Sequence, residues 1–546
     1  MKSKVIQKTI CYTLITVLTA GIMVGCGKDK VTSEGDSSTL SGQEEKPTYT
    51  IATVRWTDSW PTDFLESGIM KELEEKAGIN IEWQVYYNSD WAEQKSLILA
   101  SGNLPDAFLG SITLNASDMA QNKANFIEIT DYVNEKNMPN LMEAFERDPE
   151  LKAVCTGRDG KIYSLPKKLP LRPEVCGDIF YINKEWLDRL GLEVPTTYME
   201  LADVLQQFAT KDADGDGDPN NEIAYSNSAS STLLSTDLRT ILSPFGTMVS
   251  RADNYMGLDG EGKPVFMPVQ ENYKEAVKWM HDLWEKGILD PEYFTQDSSM
   301  YNSKLQSEGG AQIGMFHAWT ADAMAGVNAG QFVPLEAVEG PNGEHYVENA
   351  SNFLDIADRE LVITKECKDP EKLLAWADAF YTDLASMQTM YGSISDGCIT
   401  DNGDGTYSVN EPEDGASLDT EAWSWSLREF GPKYMNPEFY DKVSLPETQG
   451  DGVKLKEDQI NGKYVTDDRN IGFPMVQYTD EEQERLTALG TDIYRYCEAQ
   501  YGHWVVDGGI DEEWEDYLQQ LNDMGVQELI DIQNTAFEAY QKTQAD

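Results

Sequence analysis

The stretch YINKEWLDRLGLEVPTTYMELADVLQQFATKDADGDGDPNNE, residues 181–222, predicts a strand, two helices and an acidic loop in succession. The short first helix stops at Gly191, because glycine readily adopts the left-handed conformation that closes a helix. Thr197 opens the second helix, and Glu200 three residues later completes the pattern of a capping box. The buried face of the second helix is predicted from apolar residues at helical spacing, namely Leu201, Val204, Leu205 and Phe208.

The loop after the second helix carries five carboxylates, the first three of them at alternate positions. Alternate spacing lets side-chain oxygens converge on one hard cation, and Gly217 supplies the sharp turn found at the sixth position of an EF-hand. The twelfth position, where an EF-hand needs a bidentate carboxylate, is Ile223, so this loop is EF-hand-like rather than standard. It predicts a structural Ca²⁺ site, with a solvated acidic turn as the alternative. The predicted ligands are Asp212, Asp214, Asp216, Asp218, Asn221 and Glu222.

Residues 1–25 read as an export signal, in which three lysines precede an apolar core too short to span a bilayer. The core ends in Met-Val-Gly-Cys, which is similar to a bacterial lipoprotein signal whose final cysteine, here Cys26, receives the lipid. An ordinary secretory signal cut at a nearby small residue is the alternative. Residues 26–47 are polar and without a pattern, so they predict a flexible tether between the lipid and the folded part.

Length and charge narrow the class of protein. A chain of 546 residues exceeds the usual single domain, so we expect two or more lobes. Its 95 acidic residues against 43 basic ones argue against nucleic acid as a partner, because binding phosphates needs a basic surface. Five cysteines remain after Cys11 and Cys26, an odd number in scattered positions that excludes a zinc ribbon or redox motif: Cys155, Cys176, Cys367, Cys398 and Cys497.

The beginning of the folded part alternates strands and helices. Strands are predicted at residues 49–55, 79–87 and 105–110, with a helix after each of the first two, and this order indicates a parallel α/β lobe. Ligands of such lobes meet the loops at the carboxyl ends of the strands. The loops at residues 56–60 and 111–115 should therefore face the same edge.

Four further stretches, together with the acidic loop, carry a family resemblance: ASGNLPDAF (100–108), DGKIYSLP (159–166), YINKEWLDRLGLEVPTT (181–197) and WEDYLQQLNDMGVQELIDIQNTAFEAY (514–540). With them the chain resembles the family 1 extracellular solute-binding lipoproteins, which are the binding components of Gram-positive ABC importers for oligosaccharides. The resemblance implies a type II-like periplasmic-binding-protein fold, α/β, with two hinge-connected lobes and the ligand cleft between them. It places one lobe at 48–165 plus about 353–400, and the other at 166–352 plus about 401–546.

The same resemblance implies the setting of the protein. It would be a monomer, anchored by its lipid on the extracellular face of the membrane, that passes oligosaccharide to the permease subunits and catalyses nothing. Some alginate-oligosaccharide binders of the family carry a calcium loop of this kind, which this chain matches at Asp212, Asp214 and Asp216. One extra residue precedes Asn221 and Glu222, so the resemblance does not decide which of the late residues bind the ion.

Sugars offer C–H faces to aromatic rings and hydroxyls to carboxylates, amides and arginines. Candidate ligand-binding residues are therefore aromatic and polar side chains in loops at strand ends and near the lobe crossing. Core packing is the alternative for each tryptophan. The candidates are Trp56, Asp58 and Trp60 on the first lobe, Trp319 on the second, Trp423 and Trp425 late in the chain, and Arg172 and Asp178 near the crossing.

Other classes of protein remain open from the residues alone. Many carboxylates would allow the two-acid mechanism of a glycoside hydrolase, but no pair stands in a recognisable site. A binding lipoprotein for peptides or other solutes, or a surface adhesin, would share the same export signal. The sugar itself cannot be read from the sequence.

Overall fold

The computed structural model describes residues 46–56, 62–169, 177–228, 233–250, 254–348, 356–411, 426–428, 430–448, 450–464 and 473–545. Its strands are β1 (Thr48–Arg55), β2 (Asn80–Tyr87), β3 (Ala107–Leu109), β4 (Leu165–Lys168), β5 (Ile179–Asn183), β6 (Ile223–Tyr225), β7 (Met256–Leu258), β8 (Pro264–Phe266), β9 (Ile313–Ala318), β10 (Phe332–Pro334), β11 (Ile356–Ile363), β12 (Ile399–Asp401), β13 (Tyr407–Val409), β14 (Lys433–Tyr434) and β15 (Val443–Ser444).

The α-helices surround these strands and, at the end of the chain, follow one another without interruption by a strand. They are α1 (Gly68–Ala77), α2 (Asn88–Ser101), α3 (Ala116–Gln121), α4 (Pro139–Arg147), α5 (Pro149–Cys155), α6 (Lys184–Leu190), α7 (Tyr198–Thr210), α8 (Leu233–Arg239), α9 (Glu271–Glu285), α10 (Ser298–Leu305), α11 (Ala321–Ala325), α12 (Pro370–Asp378), α13 (Asp383–Tyr391), α14 (Pro437–Tyr440), α15 (Gly450–Gly462), α16 (Asp480–Asp507), α17 (Ile510–Met524) and α18 (Val526–Ala545). Within the described ranges, no helix is both long and apolar enough to cross a bilayer.

The first lobe is built on a six-stranded sheet in the order β14-β4-β11-β3-β1-β2. β1 runs parallel to both β2 and β3, as the alternation of strands and helices predicts. β11 returns antiparallel between β3 and β4. The carboxyl ends of β1 and β3 therefore lie at the same edge as the start of β11, and this edge carries the loops predicted to meet the ligand.

The second lobe has a four-stranded sheet in the order β10-β5-β9-β6. β6 runs parallel to β9, whereas β5 runs antiparallel to β9 and to β10. The start of β5 therefore lies beside the end of β9, with Ile179 opposite Ala318. Glycine at position 314 of β9 is required by packing, because a Cβ there would lie 2.5 Å from Phe208 and 2.8 Å from Trp186.

Each sheet has its own hydrophobic core. The core of the first lobe runs from Tyr49 on β1 to Tyr434 on β14. The largest core of the second lobe includes Phe208 on α7 and continues into the C-terminal helices, as far as Phe537 on α18. The chain crosses between the sheets from β4 to β5 and again from β10 to β11. The exact lobe limits stay a prediction. β14, which lies in the range predicted for the second lobe, pairs with β4 in the sheet of the first lobe.

The stretch 181–222 folds as its pattern predicts, with one local difference. β5, α6 and α7 follow in order, and Gly191 closes α6 with φ +67°. The Thr197 side chain caps α7 by accepting a hydrogen bond from the Glu200 N–H at 3.1 Å. The Glu200 carboxylate does not complete a reciprocal box on Thr197. It accepts instead from the N–H and the hydroxyl of Thr196, at 2.9 and 2.8 Å.

Three cysteines are buried thiols in the two large cores. Cys155 and Cys367 lie in the core of the first lobe, and Cys497 lies in that of the second. Burial raises the pKa of Cys367 and of Cys497 to about 12 and raises that of Cys155 further. Cys398 is buried as well, and Cys176 lies outside the described residues.

Candidate functional site

The first side of the site is the carboxyl edge of the first sheet. β1 ends at Arg55, so the half-buried Trp56 is the first side chain beyond the strand. Its ring lies 6.0 Å from the ring of Phe430, centroid to centroid. Gly110 follows β3 with φ +104°, and a Cβ there would lie 3.4 Å from Phe430. The left-handed backbone at this turn favours glycine.

A cavity of about 990 Å³ opens at this edge. It lies between the first lobe and the segment that leads into α16. Such a volume is at the upper end of the range for small-molecule sites. Its aromatic lining includes Trp56, Tyr163 and Tyr478, and its uncharged polar lining includes Asn115, Asn254 and Gln477.

Each cation in the described lining of the cavity is paired with a carboxylate. Lys95 contacts Asp118 at 2.6 Å, and Lys123 contacts Asp480 at 2.6 Å. Arg158 contacts Glu482 at 2.6 Å, and Arg359 contacts Asp358 at 2.6 Å. Because each of these four cations is matched by a carboxylate, this part of the cavity suits an uncharged, hydroxyl-rich ligand better than a polyanion.

A second group of predicted ligand residues lies at one edge of the second sheet. Trp319 follows β9 directly and is half-buried, and Asp178 directly precedes β5. Since Ile179 pairs with Ala318, Asp178 and Trp319 lie at the same edge. The Asp178 N–H donates to Glu348 Oε2 at 3.2 Å, and Lys454 Nζ lies 4.6 Å from the centre of the Trp319 ring.

The predicted ligand residues are thus only partly brought together. Trp56 lines the cavity, whereas Trp319 and Asp178 share the edge of the second sheet and are not among the residues described as lining it. Their roles stay predictions. The remaining predicted positions lie outside the described residues: Asp58, Trp60, Arg172, Trp423 and Trp425, together with the lipidation site Cys26.

Several lining residues were missed from the sequence. Tyr163 stands in the motif DGKIYSLP and could have been proposed from its aromatic ring in a turn. Arg359 gave no such signal, since it reaches the site through long-range strand pairing. β11 carries Arg359 to the edge beside β3, and the Arg359 guanidinium donates to the Leu114 carbonyl at 3.1 Å.

The acidic loop after α7 gathers carboxylates at one point. Asp212, Asp214 and Asp216 each offer an oxygen within 4.8 Å of the others. The N–H of Asp216 donates to Asp214 Oδ1 at 2.9 Å, which winds the chain around the cluster. Gly217, at φ +99°, supplies the predicted turn.

Two buried carboxylate oxygens of the loop also indicate a site for a hard cation. Glu222 folds back toward the cluster, because its Oε1 accepts a hydrogen bond from the Ala213 N–H at 2.6 Å. Burial raises the pKa of the Glu222 carboxyl. Its Oε2 and Asp212 Oδ1 are buried without a hydrogen-bond partner among the described residues. Two orphaned carboxylate oxygens beside two further aspartates fit Ca²⁺, which binds through six to eight oxygens.

The later candidate ligands Asp218 and Asn221 make hydrogen bonds to other residues of the loop. Asp218 is exposed, and its Oδ1 accepts hydrogen bonds from the backbone and side chain of Asn220. The Asn221 amide donates to Asp216 Oδ2 at 2.7 Å, so it supports the cluster from outside. Glu222 is therefore the late residue that best fits a ligand.

Two α/β lobes with a cavity at the edge of one sheet are the architecture found in two-lobe solute-binding proteins. The chain belongs to the family of bacterial extracellular solute-binding proteins, whose model matches residues 68–402. This confirms the resemblance seen in the sequence.

The chain is 30% identical to the fructooligosaccharide ABC transporter substrate-binding protein FusA of Streptococcus pneumoniae, over 99% of each chain. The structure of the S. pneumoniae protein FusA in complex with kestose superposes with a TM-score of 0.75 at 28% identity, covering 91% of this chain and 99% of that one. An EF-hand mutant of FusA in complex with fructo-nystose gives a TM-score of 0.76 at the same identity and coverage. These matches confirm the predicted two-lobe fold, and these relatives are transport binding proteins.

Proposed function

We propose that this protein captures a neutral oligosaccharide of the fructooligosaccharide class between its lobes and delivers it to an ABC importer. The observation that carries the proposal is the 30% identity along the whole chain to a fructooligosaccharide-binding component of such an importer. The cavity beside Trp56 supports it, because its described lining combines aromatic rings, amides and paired charges.

Binding would couple to lobe closure. The chain crosses between the sheets from β4 to β5 and again from β10 to β11, so a hinge motion of one lobe against the other would change the distance between the two sheet edges. Only contacts that the ligand makes better in the closed state can shift this equilibrium. Trp56 on one sheet edge and Trp319 on the other would make such contacts from opposite lobes. Asp58, Trp60, Arg172, Asp178, Trp423 and Trp425 remain proposed contributors.

The protein would act as a monomer at the extracellular face of the membrane, held there by a lipid on Cys26 and the tether 26–47. The apolar core of residues 1–25 and the Gly-Cys junction support this proposal. Replacing Cys26→Ser in the producing bacterium should release the protein into the medium. Retention of the variant in the membrane fraction would contradict lipid anchoring.

Asp212, Asp214, Asp216 and Glu222 would hold a structural Ca²⁺, with Asp218 and Asn221 as outer supports. The supporting observation is the pair of buried carboxylate oxygens that lack partners in the described part of the chain. When bound, the ion neutralises the repulsion within the loop and ties the end of α7 to β6. It would take no part in any reaction.

Calorimetric titration tests the ligand class. We expect kestose and nystose to bind, and trigalacturonate and a tripeptide to fail, because the described cations of the cavity already have carboxylate partners. Prolonged incubation with kestose should release no fructose, as a binding protein leaves its ligand intact. Preferential binding of trigalacturonate or the tripeptide would contradict the proposal, and so would cleavage of kestose.

The role of Trp56 is tested by Trp56→Leu. Loss of a stacked ring should weaken kestose binding by about tenfold or more, equivalent to about 1.4 kcal/mol. Trp83→Leu is the matched control, since Trp83 is also half-buried on the first sheet but packs against Phe64 and Trp376. Equal affinity of Trp56→Leu and the wild type would remove Trp56 from the site.

A further inference from the structure

Helix α15 buries a polar face. Its fully buried side chains recur at helical spacing and are all polar or charged: Asp451, Lys454, Asp458 and Asn461. Its apolar residues Val453, Leu455 and Ile460 are only half-buried. An ordinary amphipathic helix buries the opposite stripe. Because burying charge costs free energy unless it is paired, such a face needs specific partners.

Lys454 has three such partners, although its side chain is 0% exposed. Its Nζ contacts Asp458 Oδ1 at 2.7 Å and donates to the Gly177 carbonyl at 2.6 Å. The same Nζ lies 4.6 Å from the centre of the Trp319 ring, within the range of a cation–π interaction. One buried cation thus joins the crossing segment before β5 to the tryptophan after β9.

The crossing segment is held from its other side as well. The Gly177 N–H donates to the Glu348 carbonyl at 2.6 Å, and a Cβ on residue 177 would lie 2.3 Å from the Glu348 carboxyl carbon. Glu348 is 4% exposed and pairs with Arg239 at 2.6 Å. The backbone of Gly177 is therefore held between two buried ion pairs, and a larger residue there would displace the Glu348 side chain.

The other polar residues of α15 extend these contacts along the helix. Asp451 contacts Arg428 at 3.3 Å, and Asn461 Oδ1 accepts from the Ala337 N–H at 2.7 Å. Glu457 Oε2 accepts from the hydroxyl of Tyr181 on β5 at 2.7 Å. The helix therefore contacts both the segment entering the second sheet and the segment leaving it.

We propose that Lys454 is a positioning residue for ligand binding, which holds the Trp319 ring and the Gly177 backbone in the geometry that the ligand needs. With Lys454 against one face of the indole, a sugar ring stacks on the opposite face. Ligand affinity then depends on a side chain that does not touch the ligand. The inference rests on the proposed function through the role of Trp319.

The test uses the double variant Lys454→Met/Asp458→Asn in the full-length protein. The pair is replaced together, because removing the lysine alone would take the cation away from a buried carboxylate. We expect the double variant to bind kestose about tenfold more weakly than the wild type, the size of effect expected from losing a desolvated cation–π contact and a charged hydrogen bond. Lys456→Met is the matched control, since Lys456 is exposed on the same helix and should leave affinity unchanged.

A double-mutant cycle separates positioning from general loosening of the fold. In a Trp319→Leu background, which itself binds kestose weakly, the Lys454 double variant should cause little further loss. The same tenfold loss in both backgrounds would overturn the inference. Wild-type affinity of Trp319→Leu would instead count against the proposed ligand site.

A second readout needs no ligand. In protein labelled with 5-fluorotryptophan, the ¹⁹F resonance of Trp319 is identified by its disappearance in Trp319→Leu. We expect that resonance to move in the Lys454 double variant and to stay in place in Lys456→Met. An unmoved Trp319 resonance overturns the positioning role. If kestose fails to bind the wild type while the resonance moves, the proposed sugar class fails and the contact of Lys454 with Trp319 stands.

Discussion

Asp237 on α8 is a carboxylate sealed in the core of the second lobe, at 0% exposure. Its Oδ1 accepts a hydrogen bond from Tyr293 at 2.8 Å, and its Oδ2 accepts one from Tyr501 at 2.7 Å. Burial outweighs these bonds and raises the pKa of Asp237 to about 7. The folded protein therefore holds the proton more tightly than the unfolded chain does.

This carboxyl predicts stability that falls as pH rises. Below the unfolded pKa near 3.8 the contribution of Asp237 is fully present, and it is lost as pH rises to about 7. Asp237→Asn, which mimics the protonated form, should be more stable than the wild type at pH 8, by up to about 4 kcal/mol. The gain should shrink toward pH 5. Denaturant unfolding at several pH values measures the difference.

Asp203→Asn controls for removal of a negative charge, because Asp203 is exposed on the neighbouring α7. Its effect on the free energy of unfolding should be within about 0.5 kcal/mol. A constant difference between Asp237→Asn and the wild type from pH 5 to pH 8 would contradict the raised pKa.

Single residues were predicted well where the signal is local. Gly191 closes α6 because a left-handed residue must follow the helix, and Thr197 caps α7 because a hydroxyl suits the free N–H groups. The reciprocal partner of Glu200 was misplaced by one residue, since the Thr196 hydroxyl offers a second donor beside the backbone. The capping residue Thr197 can therefore be identified from local sequence, whereas the partner of the Glu200 carboxylate depends on which neighbouring donors compete for it.

At the scale of one element, the acidic loop after α7 makes a prediction about calcium. Adding Ca²⁺ at 100 times its dissociation constant should raise the free energy of unfolding by about 2.7 kcal/mol, because the ion binds only the folded loop. Glu222→Gln should lose most of this gain, as it replaces the buried Oε2 that lacks a partner in the described structure. Thermal unfolding with calcium and with a chelator provides the measurement.

Glu193→Gln is the control for the loop, since Glu193 is exposed in the turn between α6 and α7. It should respond to calcium as the wild type does. If the wild type unfolds at the same temperature with calcium and with chelator, the loop is a solvated acidic turn.

The long helix α16 allows a second test at this scale. Thr479 and Glu482 form a capping box at its start, with hydrogen bonds of 3.1 and 2.8 Å. Thr479→Ala should lower the free energy of unfolding by about 1 kcal/mol, because it leaves a backbone N–H unsatisfied. Thr491→Ala, at an exposed position within the helix, should change it by less than about 0.5 kcal/mol. Equal effects would contradict the capping role.

Elements were predictable to the extent that their buried face is apolar. The period of Leu201, Val204, Leu205 and Phe208 revealed α7, and all four are buried. Helix α15 instead buries polar and charged residues, namely Asp451, Lys454, Asp458 and Asn461. Hydrophobic periodicity therefore predicts the wrong face of this helix to be buried. A helix that binds buried charges on other segments can be understood only once those segments are placed.

At the scale of the whole molecule, ion pairs join the two lobes beside the cavity. Arg158, next to a strand bridge of the first lobe, contacts both carboxylate oxygens of Glu482 at 2.7 and 2.6 Å. Lys123 contacts Asp480 in the same first turn of α16, whose buried residues belong to the second core. The sequence predicted two α/β lobes, but not which surfaces would meet, because these contacts span more than 320 residues.

Charge reversal at this junction should favour separation of the lobes. Arg158→Glu places like charges opposite each other, so we expect a larger radius of gyration without ligand and weaker kestose binding at low salt. Higher salt should reduce both effects, since these side chains are partly exposed. Small-angle scattering and calorimetry provide the two measurements.

Arg147→Glu is the control, because Arg147 pairs with Glu143 and Asp383, both on the first lobe. It should leave the radius of gyration unchanged. An Arg158→Glu protein with wild-type dimensions and affinity would show that the junction does not influence closure.

The buried thiols of Cys155, Cys367 and Cys497 give each lobe an internal reporter of its own opening. Protonated and shielded, they should react slowly with maleimides or iodoacetamide in the native protein, and rapidly once their core is exposed. Pulse labelling followed by peptide mass spectrometry can therefore time the loss of each core separately. A ligand that bridges the lobes should slow the modification of all three together.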